Sequence, residues 1–143
     1  MRTHSYRNGN TLVAMCEDGT KYRYIPDGEV PMPEYPESID LKITDFCEES
    51  CPMCHENAGL DGRHGDLNHP LLDSLQPYTE LAICGGDPMS NPDLHDFLQR
   101  MKRKKVICNI TVHWNQFNRY RETLRCWQRE ACFMGSVFLY TSP

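Results

Sequence analysis

Residues 38–54 read SIDLKITDFCEESCPMC, and this stretch decides the fold. Ile39, Leu41 and Ile43 alternate with Asp40, Lys42 and Thr44, the period of a β-strand with one apolar and one polar face. The strand runs directly into Cys47-Glu48-Glu49-Ser50-Cys51-Pro52-Met53-Cys54, which places three thiols within eight residues. Thiolates suit zinc or iron–sulfur clusters, and the loop at the carboxyl end of a parallel strand is where α/β proteins place their sites. Three ligands are one short of the four that structural zinc takes, but they suit a cluster that leaves one metal open.

Downstream, Pro70 with Leu71, Leu72 and Leu75 predicts a short helix, and Glu80 to Cys84 a second strand ending at Gly85-Gly86. Asn91-Pro92 predicts a helix start, with Asn as cap and Pro at the first helical position. Leu94, Phe97, Leu98 and Met101 then fall on one helix face. Val106 to His113 predicts a third strand, and Phe117, Tyr120, Leu124, Trp127 and Ala131 another amphipathic helix. Ser136 to Tyr140 predicts a fourth strand. Strand alternating with helix is the pattern of βαβ units and a parallel sheet. A sheet covered on both faces reads apolar throughout, whereas the first and third strands here each carry a polar face, so a barrel-like curl with helices outside fits better.

Upstream, Asn10 to Met15 and Lys21 to Ile25 flank Glu17-Asp18-Gly19-Thr20, a hairpin signal. Pro26 to Pro36 carries four prolines and predicts an extended connector. The expected architecture is α/β: a partial (βα) barrel of about four parallel strands over 38–143, preceded at 1–37 by a β-hairpin and the connector.

The Cys-X3-Cys-X2-Cys run after the first strand resembles the radical S-adenosylmethionine (SAM) superfamily. The resemblance implies a [4Fe-4S] cluster on Cys47, Cys51 and Cys54, with the open iron binding SAM. Met53 stands where the family usually carries an aromatic near the adenine. Cys84-Gly85-Gly86-Asp87-Pro88 resembles the family's Gly-Gly-Glu-Pro motif, with Asp for Glu. The resemblance implies that Gly85, Gly86, Asp87 and Pro88 receive the methionine end of SAM. Residues 37–57, with Gly62-Arg63-His64-Gly65-Asp66, also resemble radical-SAM-like proteins that phages carry. The family barrel has six βα units, and the strands read here account for about four, so radical chemistry is expected only where a partner completes the barrel.

The bounds on function are broad. A chain of 143 residues, 39% hydrophobic and 24% charged, is expected to form one soluble core, and with no apolar run of signal or membrane-spanning length it is expected to be cytoplasmic. Eight cysteines without a signal peptide point to metal before disulfides. A net charge of −5 gives no global field for nucleic acid, which stays open as a partner. The basic groups Arg100 to Lys105 and Arg119, Arg121, Arg125 and Arg129 read as solvated helix faces, and Cys16, Cys108, Cys126 and Cys132 as small core residues. Cys84 is expected to face away from the site. His55, His64, Asp66, Asn109, Thr111 and His113 are further candidates beside a ligand, each also readable as a loop or sheet-surface residue.

Three functions stay open: a radical-SAM-like enzyme or enzyme half; a truncated, chemically inert domain acting as a phage-encoded inhibitor of a host protein; and a zinc-stapled structural domain. The strand Ser136 to Tyr140 leaves an apolar edge, expected to be covered by a second copy or a protein partner.

Overall fold

A computed structural model describes residues 3–16, 20–49, 51–130 and 133–140. They form two compact units, Met1–Pro36 and Glu37–Pro143.

The first unit is an antiparallel sheet in the order β1 (Thr3–Asn8), β2 (Thr11–Cys16), β3 (Lys21–Tyr24). The expected pairing of β2 with β3 is present, with Met15 opposite Lys21, while the Asp18-Gly19 turn lies outside the described residues. Strand β1 was not expected from sequence, because Thr3–Asn8 is polar and becomes a strand by pairing with β2. The two residues Gly9-Asn10 link them, with Gly9 at φ +60°, a conformation that favours glycine. The proline-rich connector forms no strand and is pinned by two asparagines. Asn8 accepts the Glu34 N–H and Asn10 the Met32 N–H, both at 2.8 Å.

The second unit runs β4 (Ser38–Lys42), α1 (Pro70–Asp73), β5 (Glu80–Cys84), a 3-10 turn (Pro88–Ser90), α2 (Leu94–Arg103), β6 (Ile107–His113), α3 (Trp114–Arg129) and β7 (Val137–Tyr140). Its four strands are parallel and lie in sequence order. The register lines up Ile39, Leu81 and Cys108 in one row, and Leu41, Ile83, Ile110 and Val137 in another. These side chains meet Leu72, Leu94, Phe97, Leu98, Met101, Leu124 and Trp127 in one apolar cluster, so all three helices pack on the same face. The opposite rows carry Asp40, Ala82 and Asn109, the polar face that alternation on β4 and β6 predicts. Alternation also puts Cys84 on that polar face, because Leu81 and Ile83 occupy the core.

Helix α2 begins later than Asn91-Pro92 implies. Asn91 accepts the Asp93 N–H at 3.0 Å and so starts the first turn, but its Nδ2 donates to the Ile43 carbonyl at 3.0 Å, tying this turn to the exit of β4. The helix ends with Lys105 at φ +61°, Lys105 N–H to Lys102 O and Val106 N–H to Met101 O, a Schellman closure with lysine where glycine is usual. Two other expectations need correction. Cys126 is exposed on α3, hydrogen-bonded to Glu130, while Cys16 and Cys108 are buried as expected; Cys132 and Ala131 lie outside the described residues. Arg100 is held by the Leu67 carbonyl and the Asn68 side chain, 5.6 Å over the Phe97 ring. Among the described residues no helix is long and apolar enough to cross a membrane.

Candidate functional site

The exit of β4 is clamped on both sides. On one side the parallel ladder to β5 continues past the strands: Ile43 N–H to Cys84 O (3.0 Å), Gly86 N–H to Thr44 O (2.9 Å) and Asp87 N–H to Phe46 O (2.7 Å). On the other, Asp45 N–H bonds Arg63 O (2.9 Å), Gly59 N–H bonds Asp45 O (3.0 Å) and Cys47 N–H bonds Gly59 O (3.1 Å). Cys47 is therefore delivered by backbone bonds into the same neighbourhood as Asp87. The two motifs, 40 positions apart by number, become adjacent because β4 and β5 are parallel neighbours.

The glycines of the second motif serve this clamp. A Cβ on Gly86 would lie 2.1 Å from the Phe46 carbonyl oxygen, and one on Gly85 2.4 Å from that of Thr44. Their closeness is to the protein's own backbone, where sequence reasoning placed a ligand. Gly62 plays the same part opposite, with a Cβ position 2.1 Å from Asp45 O.

Cys47 is buried; Cys51 and Cys54 are half-buried. Burial pushes the Cys47 thiol above its ordinary pKa, and the charges of Asp87, Cys51 and Glu49 add to that effect, which places all three within electrostatic reach of the sulfur. Cys54 N–H bonds Cys51 O at 3.1 Å and Asn57 N–H bonds Cys54 O at 3.2 Å, a pair of turns closing the loop. Met53 is 85% exposed. Among the described residues, no three His, Cys, Asp or Glu side chains are gathered closely enough to hold a metal. The donor set itself fits a cluster: three thiols from one short loop at the carboxyl end of a parallel strand.

Asp87 is 2% exposed and caps the 3-10 turn, accepting the Met89 N–H at 3.1 Å. Its carboxyl is held above the ordinary value chiefly by burial, opposed by the Met89 bond, by the Tyr120 hydroxyl and by the charge of Arg119. Pro88 is buried as the first residue of that turn.

The far wall comes from the end of β6 and the start of α3, which sequence reasoning largely missed. His113 is buried, with Nδ1 3.4 Å from Glu49 Oε2, and Asn115 Nδ2 donates to the same oxygen at 2.8 Å. Gln116 donates to Cys47 Sγ at 3.4 Å. Arg119 pairs with Glu48 and bonds Tyr120, and the pairing with Glu48 raises its pKa further. So Arg119 belongs to the site, and is not merely a solvated helix charge. Tyr120, read from sequence as a core position, turns its hydroxyl to Asp87 and Arg119. The only signal for these residues was His113 at a strand's carboxyl end.

The other candidates stay outside this cluster. His64 Nδ1 sits 2.9 Å from Thr44 Oγ1, with its ring 6.1 Å from that of Phe46, so it braces the β4 exit. Asp66 accepts the Asn68 N–H at 2.8 Å, and Asn109 accepts that of Ser136 at 3.1 Å. His55 is exposed beside Glu56, and Thr111 is half-buried on the polar face of β6.

One curated protein similar to this chain is the PqqA peptide cyclase of Gluconobacter oxydans (strain 621H), 27% identical over 85 residues. The match covers 55% of this chain and 24% of the cyclase, so the chain spans about a quarter of the relative it matches. It gives at most a distant radical SAM relationship. No protein-family model matches the chain, and no solved structure matches it.

Proposed function

We propose that this chain is a radical-SAM-like domain in which Cys47, Cys51 and Cys54 hold a [4Fe-4S] cluster and Asp87 receives the ammonium group of SAM. The observation that carries the reading is the backbone ladder from Ile43 to Asp87, which sets the cysteine loop against the Gly-Gly-Asp-Pro turn. The similarity to the peptide cyclase supports it along 85 residues.

The Gly86 and Asp87 amides are spent on Thr44 and Phe46, so what the turn offers a ligand is the Asp87 carboxylate. A carboxylate kept above its ordinary pKa by burial gains most from a cation, and an ammonium group is such a cation. Tyr120 orients that carboxylate, and Arg119 holds Glu48 of the cysteine loop against α3. Since the thiols are not gathered in the described geometry, the 51–54 turn has to close over Cys47 as the cluster binds. The three cysteines would hold the cluster; reduced by an external donor, it would supply one electron for breaking the S–C5′ bond of SAM into methionine and a deoxyadenosyl radical. Chemistry on a substrate is proposed only where further strands complete the barrel beyond β7.

Anaerobic reconstitution with iron and sulfide tests the reading. The expected result is a brown protein with about four irons per chain, lost in the Cys51→Ala, Cys54→Ala double variant. A colourless sample overturns it, and one zinc per chain without colour would instead mark a structural metal site.

A further inference from the structure

Gln116 stands in the first turn of α3, 1% exposed, with its amide engaged at both ends. Oε1 accepts the His113 backbone N–H at 3.0 Å, and Nε2 donates to Cys47 Sγ at 3.4 Å. The first bond fixes the second, because a flipped amide would set its NH2 group against the His113 N–H. The same sulfur also accepts the Glu49 N–H at 3.5 Å. Two N–H donors are thus directed at one buried sulfur. A neutral thiol is a weak acceptor and returns little for burying an amide, whereas a metal-bound thiolate carries the negative charge these donors match.

We propose that Gln116 is a positioning residue for the cluster: it fixes the Cys47 sulfur as a ligand and, by donating to it, raises the cluster's reduction potential. This rests on the cluster reading above. One-electron reduction adds negative charge that spreads onto the cluster's sulfurs, so a fixed donor stabilises the reduced state more than the oxidised one. The electron comes from the external titrant, and no proton transfer is required. His113 takes part through its backbone only, holding the glutamine amide in orientation.

The test is a dithionite redox titration of the reconstituted cluster in the wild-type chain and in Gln116→Met, which keeps the length of the side chain and removes the donor. The expected result is unchanged iron content and a midpoint shifted to more negative potential. At fixed ambient potential the reduced-to-oxidised ratio should fall roughly three- to tenfold, a fraction of the strength of one hydrogen bond to a charged group, because the sulfur carries negative charge in both oxidation states. An equal midpoint in a fully loaded variant overturns the inference and leaves the cluster reading intact. Failure of the wild-type chain to take up iron removes the cluster reading, and this inference with it. A second measurement does not depend on the variant folding. In the unaltered protein labelled with side-chain 15N glutamine, the reduced cluster should show hyperfine coupling to the amide nitrogen by pulsed electron paramagnetic resonance. Absence of that coupling also overturns the inference.

Discussion

Gly86→Ala tests the ladder that joins the two motifs. The added Cβ would lie 2.1 Å from the Phe46 oxygen, 2.7 Å from the Phe46 carbonyl carbon and 3.0 Å from the Ala58 Cβ. Ordinary contact, at 3.4 Å or more, is well over 1 Å beyond the first of these, and two of the three neighbours are backbone atoms held in a hydrogen-bonded ladder. The β4 and β5 exits must part, which strains or breaks Gly86 N–H to Thr44 O and Asp87 N–H to Phe46 O. Two weakened bonds at about 1 kcal/mol each, plus about 1–3 kcal/mol for overpacking, outweigh the gain of about 0.4–1 kcal/mol from stiffening the unfolded chain. The net expectation is a loss of about 2–5 kcal/mol. Both tryptophans of the chain, Trp114 and Trp127, lie in α3, so urea unfolding followed by tryptophan fluorescence reports on the Glu37–Pro143 unit. Gly59→Ala is the internal control, because a Cβ there meets nothing within 4 Å. If the two variants lose equal stability, or if Gly86→Ala loses less than about 0.5 kcal/mol, the close approach does not exist and the adjacency of the motifs falls with it.

Three further outcomes are expected. Lys105→Gly should raise stability by about 1 kcal/mol, since lysine there holds a φ of +61° that glycine adopts without penalty; an unchanged urea midpoint would refute the Schellman closure. For Asp87 the folded carboxyl lies above its ordinary value of 3.8, so the folded chain binds this proton more tightly than the unfolded chain, and stability falls as pH rises from that value through the raised one. Asp87→Asn keeps an acceptor for the Met89 N–H and should be more stable than wild type at neutral pH, with a flatter profile across that window; parallel profiles would count against it. Finally, Phe138 is 55% exposed on the outer strand β7, and we expect a second copy or a protein partner to cover this edge. In sedimentation at tens of micromolar (roughly where a standard-sized interface persists), the wild-type chain should associate, by itself or with an added partner, and Phe138→Asp should not; a wild type that stays monomeric and is unchanged on adding candidate partners would refute the expectation.

The sequence by itself determined the elements that repeat with a period. Alternation along residues 38–44 marked β4 and its polar face, spacing at Leu94, Phe97, Leu98 and Met101 marked the buried side of α2, and strand–helix alternation marked a parallel sheet. These signals are local, because which face a side chain takes follows from backbone geometry and needs no distant partner. Both halves of the candidate site were legible for the same reason, as short motifs at strand ends. Strand β1 was not, because its residues carry no alternation and pair only once β2 is in place. What only the tertiary structure decided is who meets whom. Gln116 reaches Cys47 across 69 positions and Arg119 reaches Glu48 across 71, while Tyr120 turns from an apolar pattern to bond Asp87. It also pressed Gly85 and Gly86 against the Thr44 and Phe46 carbonyls, a close approach that the motif alone did not imply. Such contacts depend on the parallel order of β4, β5 and β6, which brings three strand ends together, and no period within any one segment carries that information.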